Sequence, residues 1–278
     1  VPCNDQAFLL KLKIIAMSLL LLIRALLSGD LYNPLMKTEW KNIKSVPALQ
    51  KGEVHVWRVF LDWAQAELQQ ALQILSAEEK QHAQRLVFDE HRSRFTASHA
   101  ALRHILSHYI NKPLTEFHYI KGSHGKPYLV DEPILQFNMS DSKQLALYAI
   151  TTHREVGVDI EWMRPGIDVE GIAKRFFSVE EQQQLLALPS NQQFAAFYRC
   201  WSRKEAYIKV IGQGLSFPLG QFSVSLQPEG MHNLLTVHNS TEQAKQWSLG
   251  SITAAEDYAA ALAVEGEITQ IHYFDWQL

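Results

Sequence analysis

Asp159 and Glu161 stand two residues apart in Val156-Gly157-Val158-Asp159-Ile160-Glu161, an otherwise apolar run. Side chains alternate faces along a strand, so the two carboxylates point the same way. In Trp201-Ser202-Arg203-Lys204-Glu205-Ala206-Tyr207-Ile208-Lys209, which reads as a helix, Glu205 and Lys209 lie at i and i+4 and share a face. Three carboxylates and a lysine brought together would suit a hard cation such as Mg²⁺ holding a phosphate. Each motif also has a plainer explanation. Paired acids can decorate a solvated edge strand, and a Glu–Lys pair on a helix surface contributes only about 0.3–0.5 kcal/mol. The apolar neighbours Val156, Val158 and Ile160, and the aromatic Trp201 and Tyr207, favour a buried setting in which the polar residues face a cleft.

Other residues could serve a phosphate. Ser123-His124-Gly125-Lys126-Pro127-Tyr128 reads as a turn that presents Lys126, either as a clamp or as an ordinary exposed lysine. Phe137-Asn138-Met139-Ser140-Asp141-Ser142 is a strand entering a polar turn, with Ser140 as a hydroxyl donor in the functional reading. Arg85, Arg92, Arg94 and Arg103 form a basic run on helical segments; such runs are usually solvated faces.

The elements that carry these residues occur twice, at an offset of slightly more than a hundred residues. Val54–Val59 matches Val156–Glu161 as an opening strand. Ser76-Ala77-Glu78-Glu79 matches Ser178-Val179-Glu180-Glu181, each a Ser-x-x-Glu helix start. A helix over 95–109 matches one over 197–211. Pro113-Leu114-Thr115-Glu116-Phe117 matches Pro218-Leu219-Gly220-Gln221-Phe222, and strand Leu145–Ile150 matches Ala259–Val264. Five matches in one order make duplication the better account. The expected fold is α+β, a pseudo-dimer of two similar halves with the site in the cleft between them. The expected divisions are an N-terminal extension over 1–51, a first half over 52–151 and a second half over 152–278. In this register Asp159 corresponds to Trp57, Glu161 to Val59 and Glu205 to Ala100, so the acids belong to the second half alone.

Composition sets the outer bounds. The chain has 278 residues, 47% hydrophobic and 20% charged, as in an ordinary globular protein. A net charge of −3 gives no global basic field, so no nucleic-acid partner is expected. Cys3 and Cys200 make neither a disulfide framework nor a zinc pattern, and there is no HExxH among the twelve histidines, so no zinc site is expected. A cytoplasmic location and no membrane partner follow from this reading. The apolar stretch from Ile14 to Leu27, behind Lys11 and Lys13, resembles a signal segment without a clear cleavage site. It is too short and interrupted for a membrane span, and the preferred explanation is a true start at Met17 or Met36.

The order GKPY, FNxS, GVDIE, RFFSxxE, WSxKEAYIK and GxGLSxPL resembles the Sfp-type 4′-phosphopantetheinyl transferases over roughly Gly52 to Val264. The resemblance implies a pseudo-dimeric monomer that moves the phosphopantetheine arm of coenzyme A onto a serine of an apo acyl or peptidyl carrier protein. It implies Asp159, Glu161 and Glu205 as Mg²⁺ ligands, with Glu205 also as the base. Lys209 would contact the phosphates, and Lys126, Ser140, Asp141 and Arg94 would bind the nucleotide end. Arg164 to Phe177, including Lys174 and Arg175, would meet the carrier. One position departs from the pattern: Asp141 stands where the family usually has histidine, and a carboxylate repels phosphate. Lys143 or His124 could compensate. The departure keeps open a catalytically decayed carrier-binding module. Another Mg²⁺-dependent phosphate-transfer enzyme, such as a nucleotidyltransferase, is a further alternative, although no glycine-rich phosphate loop is present.

Overall fold

The computed structural model describes residues 38–122, 125–228 and 230–277, so the apolar stretch over 14–27, the possible starts at Met17 and Met36, and His124 lie outside the described residues. Two hydrophobic cores organise the rest. One gathers Trp57, Leu102, Ile105, Phe137, Tyr148 and Phe274; the other gathers Phe177, Phe197, Tyr207, Phe222, Leu249 and Ala261. Each belongs to one α+β half.

The first half contains strand β1 (Lys41–Asn42), β2 (Glu53–Phe60), helices α1 (Gln65–Ile74), α2 (Ala77–Arg85) and α3 (Asp89–Ser107), then β3 (Tyr119–Lys121), β4 (Pro127–Leu129), β5 (Leu135–Ser142) and β6 (Leu145–Thr152). The second contains β7 (Val156–Trp162), α4 (Val169–Phe176), α5 (Val179–Ala187), α6 (Ser190–Ile211), β8 (Phe222–Val224), β9 (Leu234–Val237), α7 (Thr241–Ala244), β10 (Trp247–Ile252) and β11 (Tyr258–Glu265). Strand β12 (Gln270–Asp275) follows. Among the described residues, no helix is long and apolar enough to cross a membrane.

Both capping boxes form. Ser76 and Glu79 close the start of α2, and Ser178 and Glu181 close that of α5, each serine accepting from the glutamate's backbone N–H while the glutamate accepts from the serine's. The glutamates then reach deeper. Glu79 accepts from Arg103 on α3, whose guanidinium also donates to the carbonyls of Leu114 and Phe117. Glu181 pairs with Lys204 on α6 at 2.8 Å, and that ammonium donates to the carbonyls of Leu219 and Phe222. The partners in the two Pro-Leu-x-x-Phe segments are the same, so Arg103 and Lys204 are structural counterparts. This shifts the helix register: Glu205 corresponds to His104 and not to Ala100, and Lys209 to His108. Arg103 is fully buried in this pair, which removes it from the basic residues available to a ligand.

The sheets depart from two self-contained halves. The larger runs β1-β12-β2-β6-β5, and the smaller runs β10-β11-β7. Strand β12 lies parallel to β2 and is clamped there by the Arg58–Asp275 pair at 2.7 Å, so residues 270–275 join the first sheet despite following the second half. Strand β1 pairs with β12, so the ordered fold begins before Gly52. Strands β5 and β7 meet without a backbone ladder. Instead Asn138 Oδ1, Ser140 Oγ and Ser142 Oγ, alternate residues of β5, accept from the backbone N–H groups of Val158, Ile160 and Trp162. Side chains thereby satisfy donors that an edge strand would leave open.

Candidate active site

Strand β7 and helix α6 approach unusually closely because of Gly157. A Cβ at that position would collide with the carbonyl of Ala206 and the amide nitrogen of Val210. With the backbones so near, Asp159, two residues along β7, reaches Lys209 on α6. The Lys209 ammonium donates to Asp159 Oδ1 at 2.7 Å and to Ser140 Oγ at 2.7 Å, while the Ser140 hydroxyl donates to the same Asp159 oxygen at 3.1 Å. Lys209 thus reaches across to the strand and not along its own helix to Glu205. One residue from each of β5, β7 and α6 forms this cluster, which spans the seam between the halves.

Asp159 is 2% exposed, and its second carboxylate oxygen, Oδ2, is buried without a hydrogen-bond partner. Such an orphan acceptor is costly unless something positive completes it. Glu161 and Glu205 lie in the same field. Burial, followed by repulsion from Asp159, pushes each of their carboxyls up to about 7. Trp201 and Lys209 pull the Glu161 carboxyl in the opposite direction, and Lys209 does the same to Glu205. Mutually repelling, half-buried oxygen donors with one unsatisfied oxygen match the donor chemistry of a hard divalent cation. The carboxylate oxygens of the trio are more widely spread than those of the Glu53–His55–His272 cluster, whose ligand atoms all lie within 4.8 Å of one another.

A cavity of about 640 Å³ opens beside these acids. Its walls come from both halves: His82, His91, Arg94 and Phe95 from the α2–α3 side, Asp141 to Lys143 from the β5–β6 turn, and Glu161, Trp162, Arg164 and Tyr198 from the second half. Asp141 is solvent-accessible there, yet the surrounding walls raise its pKa; the charges of His99, Lys209 and Arg94 act the other way. Its carboxylate therefore sits among cations. Arg94 lines the cavity while pairing with Glu90. Lys143 projects over the Trp162 ring at 5.0 Å.

Two expected phosphate ligands are otherwise engaged. Lys126 donates to Glu155 Oε2 at 2.5 Å, to the Val156 carbonyl at 3.0 Å and to the Val210 carbonyl at 3.2 Å. All three ammonium protons are accepted, so Lys126 fastens the turn before β4 to β7 and α6, and burial lowers its pKa. It still lines a smaller cavity of about 220 Å³ with Lys209 and Gly212. The Ser140 hydroxyl is likewise taken up in orienting Asp159 and Lys209. Lys174 and Arg175 are exposed on α4, whose Phe176 packs edge-on to Trp201, whereas Phe177 is buried against Phe197. The sequence reading missed His82 and His91 in the cavity wall and His99, which stacks on Phe95 behind it; their spacing on α2 and α3 carries no motif.

Comparison with known proteins accords with this geometry. Residues 155–263 match a family model described as the 4′-phosphopantetheinyl transferase superfamily, and residues 62–153 match one described as 4′-phosphopantetheinyl transferase, N-terminal. The chain is 38% identical over 232 residues to the Nostoc sp. 4′-phosphopantetheinyl transferase HetI, covering 82% of this chain and 92% of that protein. It is 33% identical over 177 residues to the Bacillus subtilis 4′-phosphopantetheinyl transferase Sfp, covering 63% of this chain and 78% of that protein.

Proposed function

Because the chain belongs to the 4′-phosphopantetheinyl transferase superfamily, we propose that it transfers the phosphopantetheine arm of coenzyme A to a serine of an apo acyl or peptidyl carrier protein, with Mg²⁺, releasing 3′,5′-ADP. Membership supports phosphopantetheinyl transfer as the general activity. The observation that carries it is the Lys209–Asp159–Ser140 cluster at the cleft, with Asp159 Oδ2 left without a partner.

Asp159, Glu161 and Glu205 would hold the cation. Bound Mg²⁺ would neutralise the pyrophosphate and polarise its oxygens. Glu205, on the face of α6 that meets β7, would also accept the carrier serine's proton. The serine oxygen then bonds to the phosphorus that bears pantetheine, and the bond from that phosphorus to the bridging oxygen breaks. Lys209, held in place by Ser140 and Asp159, has a remaining proton for a phosphate oxygen. Arg94 and Lys143 would supply positive charge for the other phosphates, with the His82 and His91 rings beside them in the wall. Lys174 and Arg175 on α4 suit an acidic carrier surface.

The deciding experiment is the intact mass of an apo carrier protein incubated with this protein, coenzyme A and Mg²⁺. One phosphopantetheine should be gained, and none with EDTA. Asp141 favours a second reading, a carrier-binding module that no longer transfers. In that case carrier binding would persist without mass gain, and Asp141→His would restore transfer.

A further inference from the structure

A second cluster lies outside the cleft, on the first sheet. His55 on β2 and His272 on β12 are register partners, with ring centroids 5.2 Å apart. Glu53, two residues before His55, shares their face. The ligand atoms of the three all lie within 4.8 Å of one another, and Glu53 Oε1 is 3.7 Å from His272 Nε2. A tetrahedral ion with bonds of about 2.0–2.2 Å sets its ligand atoms about 3.4 Å apart, so small side-chain adjustments suffice.

The hydrogen bonds around the trio leave the right atoms free. His55 is fully buried, and its Nδ1 is 2.8 Å from the Tyr109 hydroxyl, which also accepts from Trp57 Nε1. Its other nitrogen, Nε2, is buried with no partner. Glu53 Oε2 accepts from the Gln50 backbone N–H at 3.0 Å, leaving Oε1 on the histidine side. A supporting partner on the second atom of a ligating side chain is the usual way such ligands are oriented.

We propose that Glu53, His55 and His272 form a site for a divalent transition metal of the Zn²⁺ class, completed by solvent, which staples β12 to β2. Two imidazoles and one carboxylate suit Zn²⁺ or Co²⁺ far better than Mg²⁺, which prefers an all-oxygen set. The site is therefore chemically distinct from the acids in the cleft. Sequence spacing could not expose it, because His272 is separated from His55 by more than 200 residues and meets it only through the return of β12.

The test is titration of the chelator-stripped full chain with Co²⁺, followed by ligand-field absorption, and with Zn²⁺, followed by calorimetry and thermal melting. One equivalent should bind with a nitrogen-ligated Co²⁺ spectrum and a raised melting temperature, apart from any all-oxygen binding at the cleft acids that Asp159→Asn removes. His272→Ala and Glu53→Gln should each weaken binding by at least about 100-fold, more than the loss of a merely supporting group. Both side chains are partly exposed, so both variants should melt like the wild type without metal. Asp159→Asn should leave this binding intact. Absence of binding, unchanged affinity in His272→Ala, or loss of binding in Asp159→Asn would overturn the site in favour of a plain His272–Glu53 ion pair.

Discussion

The two halves keep the same anchor and differ at the same point beside it. In the first, Glu79 and Arg103 lock the start of α2 to α3 and to the carbonyls of Leu114 and Phe117; in the second, Glu181 and Lys204 do the same with Leu219 and Phe222. One residue further along each helix the resemblance ends. Where the second half has Glu205 and, a turn later, Lys209 paired with Asp159, the first has His104 and His108. His108 stacks flat on Trp57, with an interplanar angle of 6° and 5.6 Å between centroids, and His104 packs against Trp276. Trp57 occupies the strand position of Asp159. One copy has thus turned the strand–helix contact into an aromatic stack, and the other holds three acids and a lysine at the cleft. A buried anchor tolerates little change, because either partner alone would be an uncompensated charge. The neighbouring positions are constrained only by what they face.

The strongest way to break this comparison is to treat counterpart residues alike. Glu205→Gln should lower the transfer rate by about 10²–10⁴-fold, the range for loss of a general base, whereas His104→Gln should leave it unchanged. Intact-mass time courses on folded protein check both; equal losses would mean that the first-half site contributes to the chemistry. The anchors should respond together instead. Lys204→Met and Arg103→Met each leave a buried glutamate without its cation and should cost about 3–5 kcal/mol in urea denaturation. A large loss from one and none from the other would separate them.

The smallest effect sharpens the contrast by pH. Glu161 and Glu205 are raised from 4.5 to about 7 in the fold, so the cation-free protein binds their protons more tightly than the unfolded chain does. That contribution is fully present below pH 4.5 and is lost as pH rises to about 7. The rise in melting temperature on adding Mg²⁺ should therefore be slight near pH 4.5 and full above pH 7. His104 and His108 are lowered from 6.5, His104 by burial and then by His108, and His108 by burial. Their contribution holds above pH 6.5 and is lost on acidification below it. Melting curves of Glu205→Gln and His104→Gln across pH should lose opposite flanks of the profile.

What could be read in advance follows from distance along the chain. The two acids of β7, the Glu–Lys helix pair and both capping boxes are local patterns, and spacing alone exposes them. The helix register was misplaced because the chain runs 11 residues from Arg103 to Leu114 but 15 from Lys204 to Leu219. Aligning on the Pro-Leu-x-x-Phe segments moved those extra residues to the wrong side of the helix. The engagement of Lys126 was illegible, since its acceptors on β7 and α6 are 30 and 84 residues away. Ser140 looks the same in sequence whether it faces a ligand or bonds across a seam to Ile160 and Lys209. The histidines around the cavity converge only after α2 and α3 pack.

The return of β12 also bears on how the molecule is made. A chain emerging from the ribosome delivers β2, β5 and β6 early, but the strand that covers the other side of β2 lies more than 200 residues behind it. Until it arrives, Val54 to Phe60 present an unpaired apolar border, the kind that recruits strands from other molecules. A ring closed over so long a loop also costs more chain entropy than a local pairing, so the β2–β12 contact belongs to the part of the fold that only the whole chain can complete.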